Sequence, residues 1–483
     1  MKIKFAVFYN DLRDWIKEAE NLGELKLVEG ASWEQDIGMA TEMLHHTEPS
    51  PAVIFDKIPG VQAGFRVLTN AIGGKRINMT LGFSPTLSKT EVSDAFLQVM
   101  KNNTPIPYRF VDSGPVMENV LTGDDVDILK FPSPVWHEND NGRRYIGTGS
   151  CTITADPDAG WVNLGTYRVM VHDANHVGFY ISPGKHGRIH RDKYFARNEP
   201  CPVAIVLGPD PLLFLMSCSE VPGGVSEYDL MGGLRGKPYD VIKGQFTGLP
   251  IPANAEAVLE GFAYPGVTAE EGPFGEWTGY YASGHRAEPV IEVKAIYHRN
   301  APIMYGCPPN RPPDEQARFR AVMRSGLLKE EMEKAGVPDI KSVWAHEVGG
   351  SRMFLAVSIK QRYPGHARQA GQIAAMCHVG AYLGKYVVVV DDDIDPSDLE
   401  AVIWAMVTRS DPVESIDIIH RAWSTPLDPR TPPDEKAKGN TTNSRAIIDA
   451  TRPFEWRDRF PLVNYPGPET ARLAREKFGY LLL

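Results

Sequence analysis

Apolar positions at helical spacing begin near the start of the chain. Leu12, Trp15 and Ile16 recur at intervals of three or four residues among charged positions, and Gly23 stands where a residue in the left-handed conformation commonly ends a helix. The pattern predicts an amphipathic helix over residues 11–23, with one face packed against a core.

Capping-box patterns predict two further helices, because in each case a serine is followed three positions later by an acid or an amide. Ser32 with Gln35 predicts one helix start, and Ser88 with Glu91 predicts a second helix that runs to about Lys101. The reciprocal hydrogen bonds of such a pair satisfy main-chain N–H groups that the first helical turn leaves unpaired.

Short apolar runs between these helices, at residues 52–55 and 65–68, predict strands. The alternation of helices and strands predicts a small α/β domain over residues 1–105. The proline-rich passage 105–135 then predicts an extended connection that lies over a surface.

Residues 145–305 differ from the preceding segment, because short β-rich runs separated by glycine and proline replace the long helical patterns. The predicted strands are 149–155, 162–172, 177–181, 203–207, 212–217 and 291–297. Such a series predicts a split β-barrel or sandwich-like domain, which we place at residues 106–312.

Helical periodicity returns after Pro313, with long amphipathic patterns over residues 314–335 and 367–383. A mostly apolar run at 385–390 predicts a strand. This order of elements predicts a C-terminal α/β domain over residues 313–483, so the whole chain is expected to be a multidomain α+β or α/β protein.

An acidic run, residues 391–395, follows the predicted strand and has two explanations. Clustered carboxylates can bind a hard cation. Alternatively, Asp395 caps a helix that has Pro396 at its first position and ends near Arg409, and the other acids favour the positive end of its dipole.

Composition excludes several classes of protein. The chain has 483 residues and a net charge of −10, which argues against a general surface for nucleic acid or anionic membranes. Its five cysteines are scattered, without a CxxC pair, as expected for reduced thiols in a cytoplasmic protein. We find neither a signal-type apolar core nor a Walker A, HExxH or GxSxG motif.

The loop Glu271-Gly272-Pro273-Phe274-Gly275-Glu276 holds two carboxylates across a turn that neither a helix nor a regular strand accepts. A loop of this kind can direct two acids into one space, as general acid catalysis requires. An exposed acidic turn is the alternative explanation. Arg168, within the apolar run 162–170, is a natural partner for the two acids because a charge in a buried strand needs compensation.

Three other polar residues stand at positions where burial would be costly. Asn163 lies in the same apolar run as Arg168, His186 follows a turn-rich approach, and Glu227 follows a glycine bend at a predicted helix start. A surface histidine and a capping acid are ordinary alternatives, and the spacings of 163, 186 and 227 match no local metal motif.

Four stretches in order resemble the UbiD family of reversible decarboxylases. They are Trp161-Val162-Asn163-Leu164-Gly165-Thr166-Tyr167-Arg168, Lys185-His186, Pro222-Gly223-Gly224-Val225-Ser226-Glu227-Tyr228-Asp229 and the Glu271–Glu276 loop. Arg311-Pro312-Pro313-Asp314-Glu315 and Ile448-Asp449-Ala450-Thr451 extend the resemblance into the C-terminal half. Four motifs in register are more specific than any one of them.

The resemblance implies a set of cofactors. The family uses prenylated FMN, which a separate flavin prenyltransferase makes, with a divalent cation (Mn²⁺, or Mg²⁺) and K⁺ near the flavin phosphate. The implied Mn²⁺ ligands are Asn163, His186 and Glu227, and the implied K⁺ ligands are main-chain groups of Trp161, Ser217 and Ser219. Residues expected to contact the cofactor are Thr166, Tyr167, Arg168, Lys185, His186, Ser217, Cys218, Ser219, Glu227 and Arg445.

The resemblance also implies a catalytic set of Arg168, Glu271 and Glu276. In the family the substrate forms a covalent adduct with prenylated FMN, carbon dioxide leaves, and a glutamic acid protonates the carbon. Glu276 is expected to be that acid, with a pKa raised by burial and by Glu271, which Arg168 keeps ionised. Two positions depart from the family pattern, since Cys218 replaces a small hydroxyl residue and Arg445 replaces a lysine.

The implied reaction is reversible, non-oxidative decarboxylation of a small aromatic or heteroaromatic acid, with release of CO2. Candidates for lining the substrate are residues 305–309, Phe319, Arg320 and the loop 425–443, which is expected to be mobile. Alternatives are an α,β-unsaturated acid as substrate, a flavin-dependent oxidoreductase on a split barrel, and a non-catalytic subunit of a carboxylase complex. A homodimer or homohexamer is expected, with a polar helix at 467–480 that could extend to a neighbouring subunit.

Overall fold

The computed structural model describes residues 4–282, 284–464 and 467–482. The α-helices are Leu12–Asn21, Asp36–His45, Lys75–Thr80, Lys89–Lys101, His186–Ala196, Pro211–Ser217, Glu227–Arg235, Glu315–Lys334, His366–Met376, His378–Ala381, Leu399–Arg409, Pro433–Ala437 and Pro468–Phe478. In these described ranges no helix is both long enough and apolar enough to cross a membrane.

Within the described residues, the strands form five sheets. They are Leu25–Glu29, Ala52–Asp56, Arg66–Thr69, Arg109–Phe110, Asn119–Thr122, Tyr145–Gly147, Cys151–Ala155, Val162–Gly165, Val169–Met170, His176–Gly178, Cys201–Leu207, Asp240–Lys243, Pro250–Pro252, Ala257–Glu271, Arg286–His298, Ile303–Gly306, Ile340–Ala345, Phe354–Ile359, Tyr386–Asp391, Ile416–Trp423 and Thr442–Ala450. The mixed α/β multidomain prediction is confirmed.

The N-terminal sheet has four strands, and its last strand comes from far along the chain. Ile303–Gly306 pairs in parallel with Arg66–Thr69, so residues beyond the predicted boundary at 105 complete this sheet. The predicted capping box is present, because the Ser88 hydroxyl accepts from the Glu91 N–H and the Glu91 carboxylate accepts from the Ser88 N–H.

The predicted helix start at Ser32 is wrong. The helix begins at Asp36, and the Asp36 carboxylate accepts the Ser32 N–H at 2.8 Å. Gln35 occupies the cap position with no side-chain capping bond. A carboxylate one residue beyond the predicted partner therefore takes the N–H that the capping box would have used.

Seven strands of the central region form one antiparallel sheet, built around the long hairpin of Ala257–Glu271 and Arg286–His298. The first strand of this hairpin was absent from the sequence prediction. Val162–Gly165 and His176–Gly178 lie at the two ends of the strand order, so the sheet is open. The described residues contain no closed barrel, and the split-barrel detail is not confirmed.

Residues 212–217, predicted as a strand, form a helix. The Asp210 carboxylate accepts the Leu212 N–H at 2.9 Å, and Pro211 occupies the first turn, where its missing N–H is not needed. All seven side chains of Pro211–Ser217 are buried, so the apolar run carries no helical period that the sequence could display.

The C-terminal region is built on a mixed five-stranded sheet, and the helix predicted over residues 314–335 is present as Glu315–Lys334, with Asp314 as its cap. The predicted Asp395 cap is wrong, because Asp398 caps the helix Leu399–Arg409. The sequence did not distinguish the two aspartates because both precede the apolar positions of the helix. Asp395 accepts hydrogen bonds from the N–H and the hydroxyl of Ser397.

The acidic run after the strand Tyr386–Asp391 forms ion pairs rather than a cation site. Arg409 donates to Asp391 at 3.1 Å and to Asp393 at 2.9 Å, and Arg452 bonds to both acids.

The helix predicted over residues 367–383 is divided in the structure into two helices, His366–Met376 and His378–Ala381.

Candidate active site

Arg168 joins the two carboxylates of the Glu271–Glu276 loop. Its Nε and Nη2 donate to the two oxygens of Glu271 at 2.8 and 2.9 Å, and its Nη1 donates to Glu276 Oε1 at 2.7 Å. The Arg168 side chain is 9% exposed, that of Glu271 2% and that of Glu276 14%. The structure thus brings together one arginine and two acids that lie more than 100 positions from it in the chain.

The fold of the loop explains how both acids face the arginine. Glu271 is the last residue of the strand Ala257–Glu271, and Gly272 turns the chain with a φ of +91°. A Cβ on Gly272 would lie 2.8 Å from the Gly284 carbonyl oxygen. The Glu276 N–H then donates to the Tyr280 carbonyl oxygen at 3.1 Å, which fixes the second acid on a tight turn.

Aromatic rings surround the guanidinium of Arg168. Its Cζ lies 4.5 Å from the ring centre of Tyr180 and 5.4 Å from that of Phe274. Phe274 is buried and packs on Tyr145 at 4.1 Å between ring centres. The Tyr145 hydroxyl also donates weakly to Glu271 Oε1, at 3.4 Å. Contacts of this kind restrict the rotamer of the arginine and exclude water from its face.

The two acids differ electrostatically. Burial raises the pKa of Glu276 above its ordinary value, and the Glu271 charge adds to this, although Arg168 and Arg286 act in the opposite direction. Burial alone would lower the pKa of Arg168, but Glu271 and Glu276 outweigh it and raise the pKa. The guanidinium therefore stays charged, while Glu276 has a raised affinity for a proton.

Gly272→Ala tests whether the turn at Gly272 positions the carboxylates of Glu271 and Glu276 for catalysis. The variant should unfold about 1–3 kcal/mol more easily, because a side chain is strained at this φ, and it should lose activity because the Gly284 contact displaces the loop. Gly266→Ala is the control, since Gly266 has a φ of +76° but no atom within 4 Å of the added Cβ. Thermal unfolding and kcat measure both effects, and equal kcat losses in the two variants would contradict the aiming role.

Asn163, His186 and Glu227 lie on a strand and two helices, and each of the two helices contacts the strand. Asn163 lies in the strand Val162–Gly165, and His186 and Glu227 are the first residues of two helices. Glu227 Oε2 accepts the N–H of Leu164 at 2.8 Å, next to Asn163. Trp161 stands edge-on to His186 at 4.8 Å between ring centres.

The chemistry of these three side chains suits a divalent cation. Glu227 is 2% exposed, and in the described ranges no cation pairs with it, so burial raises its pKa to about 7. The amide nitrogen of Asn163 is buried without a hydrogen-bond partner there. Across the described residues, no group of three or more His, Cys, Asp or Glu side chains is placed to hold a metal ion. Glu227, His186 and Asn163 are one carboxylate, one imidazole and one amide, a combination that suits Mn²⁺ or Mg²⁺.

Tyr167, Ser217 and Ser219 are three further residues that the resemblance implies as cofactor contacts. The Tyr167 hydroxyl accepts the Gly187 N–H at 3.3 Å. The hydroxyls of Ser217 and Ser219 instead donate to carbonyls of their own helical turn, at 2.9 and 3.0 Å. Because these two hydroxyls are already engaged, K⁺ contacts from Ser217 and Ser219 stay a prediction for their main-chain groups.

Arg445 is not brought to the site. Its guanidinium is buried in the C-terminal domain and donates to the carbonyl oxygens of Ala375, Gly380, Ala381 and Trp423. These bonds hold the strand Thr442–Ala450 to its neighbours, so the structure gives no support to a cofactor contact at this position.

Residues that sequence reasoning missed include Tyr145, Tyr180 and Arg286. Arg286 is paired in register with Glu271 across the hairpin, and its Cζ lies 3.9 Å from the ring centre of Tyr180. His137 was also missed, although it hydrogen-bonds to Asp140 at 2.9 Å and Asn310 at 2.7 Å beneath Phe274. None of these has a local motif, because only the folded chain places them together.

Comparison with known families agrees with this architecture. Residues 109–312 match the 3-octaprenyl-4-hydroxybenzoate carboxy-lyase Rift-related domain, and residues 318–450 match the 3-octaprenyl-4-hydroxybenzoate carboxy-lyase C-terminal domain. The chain belongs to the UbiD family, and it is an enzyme of the carboxy-lyase class.

Two curated relatives are similar over most of their length. Pyrrole-2-carboxylic acid decarboxylase from Pseudomonas aeruginosa is 31% identical over 438 residues, which cover 87% of this chain and 86% of the relative. Phenolic acid decarboxylase from Sedimentibacter hydroxybenzoicus is 32% identical over 466 residues, covering 93% and 92%.

Solved structures show the same fold. Vanillic acid decarboxylase from Sedimentibacter hydroxybenzoicus in open form superposes with a TM-score of 0.86 at 30% identity, covering 99% of this chain and 100% of that one. Its closed form gives a TM-score of 0.79 at 31% identity, covering 99% and 100%. The UbiD-class enzyme HmfF from Pelotomaculum thermopropionicum in complex with FMN gives 0.84 at 28% identity, covering 96% and 99%.

Proposed function

We propose that this enzyme decarboxylates an aromatic or heteroaromatic carboxylic acid reversibly, without oxidation, with the help of prenylated FMN. The observation that carries the proposal is the three-bond bridge from Arg168 to Glu271 and Glu276. The relatives that act on pyrrole-2-carboxylic and phenolic acids support the substrate class. A structure of HmfF in complex with prFMN supports the cofactor.

The residues present fit the cofactor and its cations. Asn163, His186 and Glu227 would hold Mn²⁺ or Mg²⁺ at the flavin phosphate, because a buried carboxylate without a counter-charge is relieved by a cation. Main-chain groups of Trp161, Ser217 and Ser219 would hold K⁺. When bound, prenylated FMN supplies an electron sink for the carbon that loses its carboxylate.

Glu276 is the residue we assign to proton transfer. Glu271 uses both oxygens on Arg168 and accepts from Tyr145, whereas Glu276 uses Oε1 alone and is the more exposed of the two. Its raised pKa lets it carry the proton that replaces CO2, so that R–COO⁻ and H⁺ become R–H and CO2. Arg168 holds Glu271 by two hydrogen bonds and fixes the position of Glu276 by a third.

The test uses protein co-expressed with a flavin prenyltransferase, which is the expected source of the cofactor. A panel of aromatic acids at neutral pH should show acid loss with formation of CO2, and in D2O one deuterium should enter the product at the former carboxyl carbon. Reduction of unmodified FMN by a nicotinamide cofactor, with no acid lost, would replace the proposal with a flavin oxidoreductase.

Metal binding has its own test. Addition of Mn²⁺ should raise the melting temperature of the wild-type protein, because the cation neutralises the buried Glu227, and Glu227→Gln should abolish this rise. Glu199→Gln, an exposed site, is the control. A Glu227→Gln variant that still gains the wild-type rise with Mn²⁺ would remove Glu227 from the ligand set.

Self-association as a homodimer or homohexamer, which the resemblance implies, stays a prediction. The helix Leu399–Arg409 presents Trp404 and Val407, which are 41% and 67% exposed, on the outside of the C-terminal domain. Sedimentation of the purified protein should give a mass of at least two chains, and a monomer at micromolar concentration would contradict the prediction.

A further inference from the structure

His137 lies against the acid loop Glu271–Glu276, although it takes no part in the proton transfer assigned above. Its ring packs edge-on against Phe274, with 5.6 Å between ring centres. A Cβ on Gly275, the residue before Glu276, would lie 3.1 Å from His137 Cε1. The chain therefore rests on the imidazole ring immediately before the acid that we assign to proton transfer.

Both ring nitrogens of His137 face hydrogen-bond acceptors. Nδ1 lies 2.9 Å from Asp140 Oδ2, and Nε2 lies 3.0 Å from the main-chain carbonyl oxygen of Pro309. Nε2 also lies 2.7 Å from the side-chain oxygen of Asn310. An ionised carboxylate and a main-chain carbonyl can only accept, so both nitrogens donate, and a histidine that donates from both nitrogens is positively charged. The contacts thus make His137 an imidazolium.

Asp140 is the counter-charge of this imidazolium. Its side chain is fully buried, that of His137 is 17% exposed, and Asp140 Oδ2 also accepts the main-chain N–H of His137 at 3.2 Å. Burial alone would lower the pKa of His137, but the bond and charge of Asp140, with the contacts to Asn310 and Pro309, outweigh it and raise the pKa. The positive charge therefore persists to a higher pH than on a free histidine.

The second oxygen of Asp140 fixes the chain that follows the acid loop. Asp140 Oδ1 accepts the Tyr281 hydroxyl at 3.0 Å. The preceding residue, Tyr280, accepts the Glu276 N–H at its carbonyl oxygen. One ion pair, His137 with Asp140, thus contacts the chain on both sides of Glu276.

We propose that His137 is a positioning residue, whose imidazolium, paired with Asp140, holds the segment 274–281 in the conformation that keeps Glu276 beside Arg168. The inference rests on the proposed function for the role of Glu276. It assigns His137 no contact with the substrate or the flavin.

Glu276 needs this support more than Glu271 does. Glu271 ends a strand and receives two hydrogen bonds from Arg168, whereas Glu276 lies outside the strands and helices and receives one. A displacement of about 1 Å at a reacting group can cost about a hundredfold in rate. Loss of the imidazolium should therefore leave Glu271 in place and displace Glu276.

Other titratable groups lie on the segments around His137. Those that contact the imidazolium or its hydrogen-bond partners are Asp140, Tyr281, Asp314 and His45, and the same segments carry Glu138 and Glu276. Burial raises the pKa of Tyr281, so its phenol stays neutral near pH 7. All of these groups are retained when only His137 is replaced, so a difference between the two proteins reports the imidazolium.

The charge is tested by urea unfolding of the wild-type protein and His137→Asn, whose amide can still donate to Asp140. Because the folded pKa is raised, the stability that the imidazolium adds is complete below about pH 6.5 and is lost as the pH rises through the folded pKa. The ratio of the two unfolding constants should fall about tenfold from about pH 6 to about pH 9. A ratio that does not change with pH would overturn the proposal.

The hold on the loop is tested by hydrogen exchange with mass spectrometry on the full-length, flavin-loaded protein. His137→Asn should speed exchange in peptides from residues 272–282 by about tenfold, and Tyr281→Phe should speed it less. His176→Asn is the matched control, because His176 also bonds to an aspartate three positions away, Asp173, at 3.0 Å. Exchange at the control rate in both His137→Asn and Tyr281→Phe would overturn the proposal.

Turnover decides whether the hold serves catalysis. With the acid that the wild-type protein consumes fastest, His137→Asn should lower kcat by about a hundredfold and leave KM within about twofold, while His176→Asn matches the wild type. Faster loop exchange with an unchanged kcat would overturn the positioning role. If the wild-type protein decarboxylates no acid, the proposed function fails, and the unfolding and exchange results alone decide whether His137 holds the segment.

Discussion

Glu276→Gln should lower kcat by about a thousandfold while FMN still binds, because an amide cannot deliver the proton that replaces CO2. The substitution keeps the size of the side chain and its hydrogen bond from Arg168 at Oε1. Decarboxylation is followed by product formation under saturating substrate, and flavin absorbance of the purified variant reports cofactor content. If the variant still releases CO2 in D2O but its product carries no deuterium, Glu276 serves the protonation step and not the loss of CO2.

Glu270→Gln is the matched control, since Glu270 precedes Glu271 on the same strand but is exposed and pairs with Arg143. It should leave kcat within about twofold of wild type, because its charge faces solvent. A Glu276→Gln enzyme with kcat as high as that of Glu270→Gln would transfer the proton role to another residue.

Arg168→Leu should lower the free energy of unfolding by about 3–5 kcal/mol and abolish activity. The reason is that Glu271, 1% exposed, would be left as a buried charge without its bidentate partner. Urea unfolding measures the loss. The double variant Arg168→Leu/Glu271→Gln should recover much of the stability but none of the activity, because the most buried charge, that of Glu271, is removed and only the more exposed Glu276 loses its partner.

Arg143→Leu supplies the comparison for a surface ion pair. Its partner Glu270 is 61% exposed, so the loss should be about 1 kcal/mol or less. If Arg168→Leu lowers the free energy of unfolding no more than Arg143→Leu does, the buried ion pairs of Arg168 contribute no more to stability than an exposed pair. If the double variant is as unstable as Arg168→Leu, the loss comes from packing of the arginine on Tyr180 and Phe274 instead.

Local signals predicted elements well where a few neighbouring atoms decide them. The Ser88–Glu91 capping box was predicted correctly because its hydrogen bonds lie within one helical turn. Prediction failed at 212–217, where burial on every side removes the periodic contrast between apolar and polar positions. It also failed at Asp395, because Asp398 offers the same cap chemistry three residues later.

The same division applies to the site. The resemblance to the UbiD family predicted the acid loop and the residues at 163, 168, 186 and 227 as members of one site, whereas the residues by themselves left a surface histidine and a capping acid as alternatives. The aromatic residues around Arg168 carry no such motif.

By itself the sequence determined that Glu271 and Glu276 share a rigid turn and that a buried arginine must find a carboxylate. Only the tertiary structure decided that Glu271 takes two of the Arg168 hydrogen bonds and Glu276 one, and that Tyr180 and Phe274 pack on the guanidinium. The physical reason is that hydrogen bonds within a turn depend on neighbouring residues. Pairing across 103 and 108 positions depends instead on the register of the strands.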